Sequence, residues 1–254
     1  RRGQGAAVHL TVSPWVLLTV LAFLVPWNVC WVAIRRRGYQ VVASALSRRM
    51  ERRHHAKILV YTGLIDRSRT SHLAAEIRRL HPATHLIMLL DTSGGDISAG
   101  LNLLHAISAH PGHVTVRVVD EGWSAGTLVA CGADEIVMSP DANLGYTDAI
   151  GHVDPSELRV AMVTAAERLG QSIDLVRSRS ILSYIVDAIT AARIARGTPP
   201  AAAAALAERL TMTSEDHWRP LFPEHAAALG LPVSVDREGH AAWFRLACLH
   251  GRAQ

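Results

Sequence analysis

From Leu10 to Ile34 the chain carries no charged residue. These 25 residues (LTVSPWVLLTVLAFLVPWNVCWVAI) would make a helix about 37 Å long at roughly 1.5 Å per residue, enough to cross a ~30 Å hydrocarbon layer. Trp15 lies near one end and Trp27 and Trp31 near the other, where amphipathic rings favour the membrane interface. Pro26 predicts a kink, which membrane helices tolerate. A cleaved signal peptide has an apolar region of about 7–15 residues and a small-residue cleavage site. This run is longer, and Arg35-Arg36-Arg37 follows it at once as a stop-transfer signal. The expectation is a retained single span within residues 1–34, with the lipid bilayer as partner.

Charge sharpens that reading. Residues 35–57 hold seven arginines, one lysine and one glutamate, a local +7. The whole chain is only +4, so once Arg1 and Arg2 are counted residues 58–254 sum to −5. Basicity is therefore a juxtamembrane collar over 35–57, and the mildly acidic remainder argues against nucleic acid as a partner. By the positive-inside rule the part beyond the collar is cytoplasmic and the protein single-pass. Three cysteines, Cys30, Cys131 and Cys248, stand at no metal-ligand spacing and exclude a disulfide scaffold.

Residues 58–254 read as one α/β domain. Ile58–Tyr61 and His85–Leu90 are short apolar runs, most simply buried strands. Between them Thr70 or Ser71 can cap a helix reaching about Leu80. Ile97, Leu101, Leu104 and Ile107 keep a helical period up to His110-Pro111-Gly112. His113–Val119 alternates and is β-branched, a third strand, and Glu135–Met138 is a fourth. Residues from Pro155 onward look helical, and Pro199-Pro200 with Ala201–Ala205 reads as a connection to another helix. Strands alternating with helices on this scale imply a largely parallel sheet.

The chemistry centres on Gly122-Trp123-Ser124-Ala125-Gly126, a G-x-S-x-G elbow. A sharp strand-to-helix turn needs glycines beside the serine and pushes its Oγ outward. Gly94-Gly95 ends the preceding strand. Backbone N–H groups of that turn, together with that of Ala125, are placed to hold a developing oxyanion. One helix and one strand separate the two turns, so they come from adjacent sheet units. That is the spacing of the Clp/crotonase fold, built from repeated ββα units, rather than of an α/β-hydrolase.

Several motifs in one order carry a resemblance. Asp91–Gly95 (DTSGG), His110–Val116, Trp123–Thr127 (WSAGT), Gly132–Met138 (GADEIVM) and Asn143-Leu144-Gly145 resemble the serine dehydrogenase proteinase family. So do His217-Trp218-Arg219-Pro220-Leu221 and Ala226–Val233 (AAALGLPV). This family of membrane-anchored proteins is distantly related to the Clp protease proteolytic subunit and the signal-peptide peptidase A group. The resemblance implies a serine endopeptidase with a triad in chain order: Ser124 the nucleophile, Asp148 the acid and His217 the base. The oxyanion hole would be Gly94, Gly95 and Ala125. Asp91 stands where the family has His and Ser93 where it has Pro, which is expected to loosen the oxyanion turn. Trp218-Arg219 stands where it has Asp-Tyr.

Competing roles are open. A Ser–Lys dyad needs a lysine, and the only one, Lys57, precedes the first strand far from Ser124. His152 is the alternative base; Asp134, Glu215 and Asp216 are alternative carboxylates. Trp123 and Trp218 line either an apolar substrate cleft or the core. Cys131 reads as a small buried residue rather than a nucleophile. No metal, dinucleotide or phosphate motif is present, so no cofactor is expected. The substrate implied is a peptide or protein, membrane proteins among them, and the relatives of this fold imply a homo-oligomer. A scaffold that kept the fold without activity, and an acyl-CoA enzyme using the same oxyanion hole, are the other functional readings. The membrane run and a serine rather than a carboxylate at the elbow weigh against the latter.

Overall fold

The computed structural model describes the backbone of residues 14–147, 173–211 and 219–253. It is an α/β fold around a parallel sheet. β1 (Lys57–Thr62), β2 (Leu86–Thr92), β3 (Val114–Gly122) and β4 (Glu135–Met138) lie side by side in chain order, and β6 (Val233–Val235) adds beyond β4. The two-residue β5 (Asn143–Leu144) pairs with the end of β3. Every ladder is parallel.

The strands are apolar throughout because both faces are covered. Leu59, Tyr61, Leu86, Met88, Leu90, Val114, Val116 and Val118 point to one face, into the main core. That core is closed by α2 (Arg67–Arg79), α3 (Ile97–Ser108), α4 (Ala125–Ala130), α5 (Ile173–Ala195) and α6 (Pro200–Thr211). Ile58, Ile87, Leu89 and Val119 point the other way. They pack against Met50 of α1 (Pro14–His54) and Trp243, Leu246 and Ala247 of α8 (His240–Ala253). Each buried aliphatic side chain contributes roughly 1.5–3 kcal/mol, so the two-faced sheet is the main source of stability. The short α7 (Pro223–Leu229) leads into β6.

Expected repeats of ββα take a reduced form. One helix separates each of the first four strands. Past a register shift between Leu90 and Thr92 the strand ends form a second, short set of pairings: Thr92 with Gly122, Gly122 with Leu144, Ile65 with Gly95, and Leu144 with Leu221.

Several local expectations are corrected. α2 begins three residues before Thr70, because Asp66 is its cap: Asp66 Oδ1 accepts from Arg69 N at 3.0 Å. Asp66 is itself positioned by its own N–H, which donates to the Tyr61 hydroxyl at 2.9 Å. Thr70 lies one turn inside, donating to Asp66 O at 2.7 Å. Ala201–Ala205 is the body of α6 rather than a connection, since Pro200 starts a helix well and alanine propagates one.

α1 is one continuous helix through Pro26. Its described side chains begin at Ile34, the last residue of the expected span. Among the described residues no helix is long and apolar enough to cross a membrane.

Candidate active site

β2 and β3 end side by side, and the two glycine turns meet there. Trp123 N donates to Thr92 O at 3.0 Å, which fixes the start of the second turn against the start of the first. The chain then reverses at Ser124, with φ 50° and ψ −110°. A serine at positive φ is strained, by about 1–3 kcal/mol. Besides His55, it is the only non-glycine at positive φ among the described residues. The turn closes with Gly126 N donating to Trp123 O at 2.7 Å and Leu128 N to Ser124 O at 3.1 Å. The Ser124 side chain is half-buried and makes no capping bond to α4, so its hydroxyl is not spent on the helix it begins.

Close approach explains the small residues. A Cβ on Gly126 would lie 2.6 Å from Thr92 Cγ2, and one on Gly100 3.1 Å from Ala125 Cβ. One on Gly145 would lie 3.2 Å from the Trp123 ring. The elbow is therefore wedged between the end of β2, helix α3 and the segment after β5.

Of the three expected oxyanion residues, the structure separates two roles. Gly94 N–H donates to Thr92 Oγ1 at 3.1 Å, and Gly94 O accepts from Ile65 N at 2.7 Å. Gly94 thus has its amide engaged; what it offers Ser124 is room. Among the described residues, neither the Gly95 nor the Ala125 N–H has an acceptor. Gly95 is exposed and Ala125 buried, on the two turns that meet. Gly95 must be glycine, because a Cβ there would lie 2.3 Å from Ile65 O. Ser93 sits exposed at the outside of this turn, which is held by the Gly94 bonds to Thr92 and Ile65.

Two residues that the sequence did not single out hold the elbow. The fully buried Thr127 hydroxyl lies 2.7 Å from Gly122 O and 2.8 Å from Gly145 O, and accepts from Gly145 N at 3.1 Å. It ties the strand before the serine to the segment leading toward Asp148. Thr92 does the same for the Gly94 turn. Both threonines stand within the quoted motifs, but only the folded contacts show what their hydroxyls do.

Asp148, His217, His152, Trp218, Glu215 and Asp216 lie outside the described residues. Their described neighbours are joined. Leu144 and Leu221 exchange two backbone bonds, at 3.0 and 2.9 Å. Thr147 N donates to Leu210 O at 2.9 Å, and its hydroxyl lies 3.3 Å from that of Thr211.

Other candidates fall away from the site. Lys57 opens β1 at the opposite end of the sheet, ion-paired at 3.4 Å to both Glu51 and Glu76. Asp134 Oδ2 accepts from Val114 N at 2.7 Å and from Arg196 at 2.9 Å, a structural clasp at that same far end. Burial pushes the Cys131 thiol up to about 12, which removes its nucleophilic form at neutral pH. Beside the site, burial and then the Asp120 charge raise the Asp91 carboxyl, and burial and then Asp91 raise Glu121. Among the described residues no group of His, Cys, Asp and Glu is arranged to hold a metal ion.

The family model for ClpP-like SDH-type serine proteinases matches residues 8–241. An uncharacterized protein of Methanocaldococcus jannaschii is 38% identical over 61 residues, 24% of this chain and 21% of that protein, so the chain spans about a fifth of that relative's length. Among solved structures, a mutant of the membrane-bound stomatin-specific protease 1510-N is 20% identical, with 74% of this chain and 82% of that one covered and a TM-score of 0.48. A ClpP1 mutant from Listeria monocytogenes is 16% identical, with 72% and 94% covered and a TM-score of 0.46. With the family model matched from residue 8 to residue 241, the chain belongs to the ClpP-like SDH-type serine proteinase family.

Proposed function

We propose that the protein is a membrane-anchored serine endopeptidase that cleaves peptide bonds through an acyl-enzyme on Ser124, with His217 as base and Asp148 orienting it. Ser124 Oγ gives its proton to His217 as it bonds to the scissile carbonyl carbon. The tetrahedral oxyanion is held by the N–H groups of Gly95 and Ala125. Collapse breaks the C–N bond, and His217 returns the proton to the departing amine. Water, activated by the same imidazole, then releases the acyl group. Asp148 stays ionised throughout and fixes the ring. Residues 10–34 are the anchor, the domain is cytoplasmic, the substrates are peptide or protein, and the chain assembles as a homo-oligomer.

The observation that carries this reading is the strained Ser124 backbone, set against a second glycine turn with a free amide. A non-glycine residue keeps a positive φ only where the surroundings enforce it, which is a reason to look for function there. Support for the triad comes from the Leu144–Leu221 bridge. Asp148 follows Leu144 by four residues and His217 precedes Leu221 by four.

The test is peptide hydrolysis by the full chain in liposomes. His217→Ala is expected to lower kcat by at least about 10³-fold, and Asp148→Asn to do likewise by a wrong imidazole tautomer. Wild-type turnover in His217→Ala alongside a dead Ser124→Ala would move the base elsewhere, with His152 the next to test. Retention of the chain in the bilayer through alkaline carbonate tests the anchor separately.

A further inference from the structure

The direction of α1 orients the site. α1 is unbroken from Pro14 to His54, so the axis of the expected span continues into the collar. From Ile34 to His54 it travels about 30 Å at roughly 1.5 Å per residue. The chain then reverses within two residues: Ala56 N donates to Glu51 O at 3.2 Å, and Ile58 N to Glu51 Oε1 at 3.2 Å. β1 comes back alongside α1, with Met50 and Leu46 packed in one cluster with Ile58 and Val60. Six residues of strand return about 20 Å.

α8 gives an independent measure of the same relationship. Its first turn sits at the far end of α1, with the Trp243 and His54 ring centroids 5.2 Å apart. Its last turn returns to the near end, with Arg252 Cζ 5.9 Å from the Tyr39 ring centroid. There a Cβ on Gly251 would lie 3.8 Å from Thr62 Oγ1, at the end of β1. Tyr39, Arg252 and Thr62 therefore share one level. That level is five residues, about 8 Å of helix, beyond Ile34. Ser124 lies at the same end of the sheet, two strands over and so about 10 Å to the side. On the helices, the end facing the expected bilayer carries Arg35, Arg36, Arg37 and Arg252, while the strand ends beside Ser124 carry Asp91, Asp120 and Glu121. The helix arginines suit anionic headgroups.

We infer that the candidate active site faces the bilayer surface at short range, and that the segments it takes are the juxtamembrane stretches of membrane-embedded proteins. This rests on the anchored-peptidase reading. A segment lying just outside the headgroups reaches Ser124 directly, whereas an approach from the far end of the domain meets the Lys57 edge of the sheet.

The test uses the full chain in liposomes of phosphatidylcholine and phosphatidylglycerol with a headgroup-labelled acceptor lipid. A donor dye is placed at Ser93→Cys, beside the Gly94 turn, or at Ala83→Cys, at the opposite edge, with Cys30 and Cys248 replaced by Ser. Energy transfer from position 93 is expected to exceed that from position 83 at least threefold. Equal transfer, or stronger transfer from position 83, overturns the inference while leaving the anchor intact. Extraction of the chain by alkaline carbonate would instead sink the anchor and this inference with it. A second arm uses unsubstituted protein and a fluorophosphonate tethered to a lipid headgroup by a short flexible linker. It is expected to label Ser124 at least tenfold faster than the same probe on a headgroup of separate vesicles. No preference overturns the inference even where a soluble probe labels Ser124, and failure of the soluble probe as well counts against the peptidase reading.

Discussion

Gly94 and Ser124 are in contact through the place where a side chain on Gly94 would stand. A Cβ there would lie 3.1 Å from Ser124 Cβ and 3.7 Å from Ser124 Oγ, at a φ of 105°. The two turns are therefore one unit: the first leaves the space into which the second pushes the serine.

Gly94→Ala is accordingly expected to displace Ser124. A misplacement near 1 Å lowers turnover by about 10²-fold, and the positive φ costs about 1–3 kcal/mol of stability. Peptide hydrolysis and thermal unfolding of the same preparation check both. Wild-type kcat in a folded Gly94→Ala protein would contradict the contact.

Thr127→Val keeps the shape of the side chain and removes the hydroxyl that bridges Gly122 and Gly145. The buried Gly145 N–H then loses its acceptor, which costs about 1–3 kcal/mol. Thermal unfolding should show the loss, and Thr127→Ser should recover most of it. Equal stability of the valine and serine variants would show that packing, not the hydroxyl, matters there.

Asp91 gives a pH dependence with a definite sign. Burial and the Asp120 charge raise its carboxyl above the ordinary 3.8, so the folded state holds the proton more tightly than the unfolded one. The destabilisation is absent below pH 3.8, grows as pH rises toward the raised value, and is complete above it. Asp91→Asn should therefore stabilise the protein at pH 7 and leave it unchanged near pH 3. Melting temperatures at both pH values check this; an equal shift at each would assign the effect to packing.

Much of the fold was legible because buried strands are apolar. Ile58–Tyr61 and His85–Leu90 are short apolar runs, Glu135–Met138 is apolar after its first residue, and each lies within or next to a strand of the sheet. β5 and β6, at two and three residues, are too short to show a period. The start of α2 has no local signal, because Asp66 is positioned by the hydroxyl of Tyr61, a contact between a strand and a loop. The elbow and the Gly-Gly turn were legible as backbone necessities. Which glycine keeps a free amide was not, because it depends on where the Thr92 hydroxyl turns. The clasp of Arg193 and Arg196 onto the turn before β4 joins segments distant in the chain, and no local pattern signals it.

The central claim is that the hydroxyl of Ser124 is the nucleophile. The most direct measurement treats the chain in liposomes with a fluorophosphonate and locates the adduct by peptide mass spectrometry. One phosphonyl group on Ser124, formed only in the folded protein and matched by loss of peptide hydrolysis, is the expected result. A folded protein that hydrolyses peptides with Ser124 unmodified, or undiminished hydrolysis in Ser124→Ala, would contradict it.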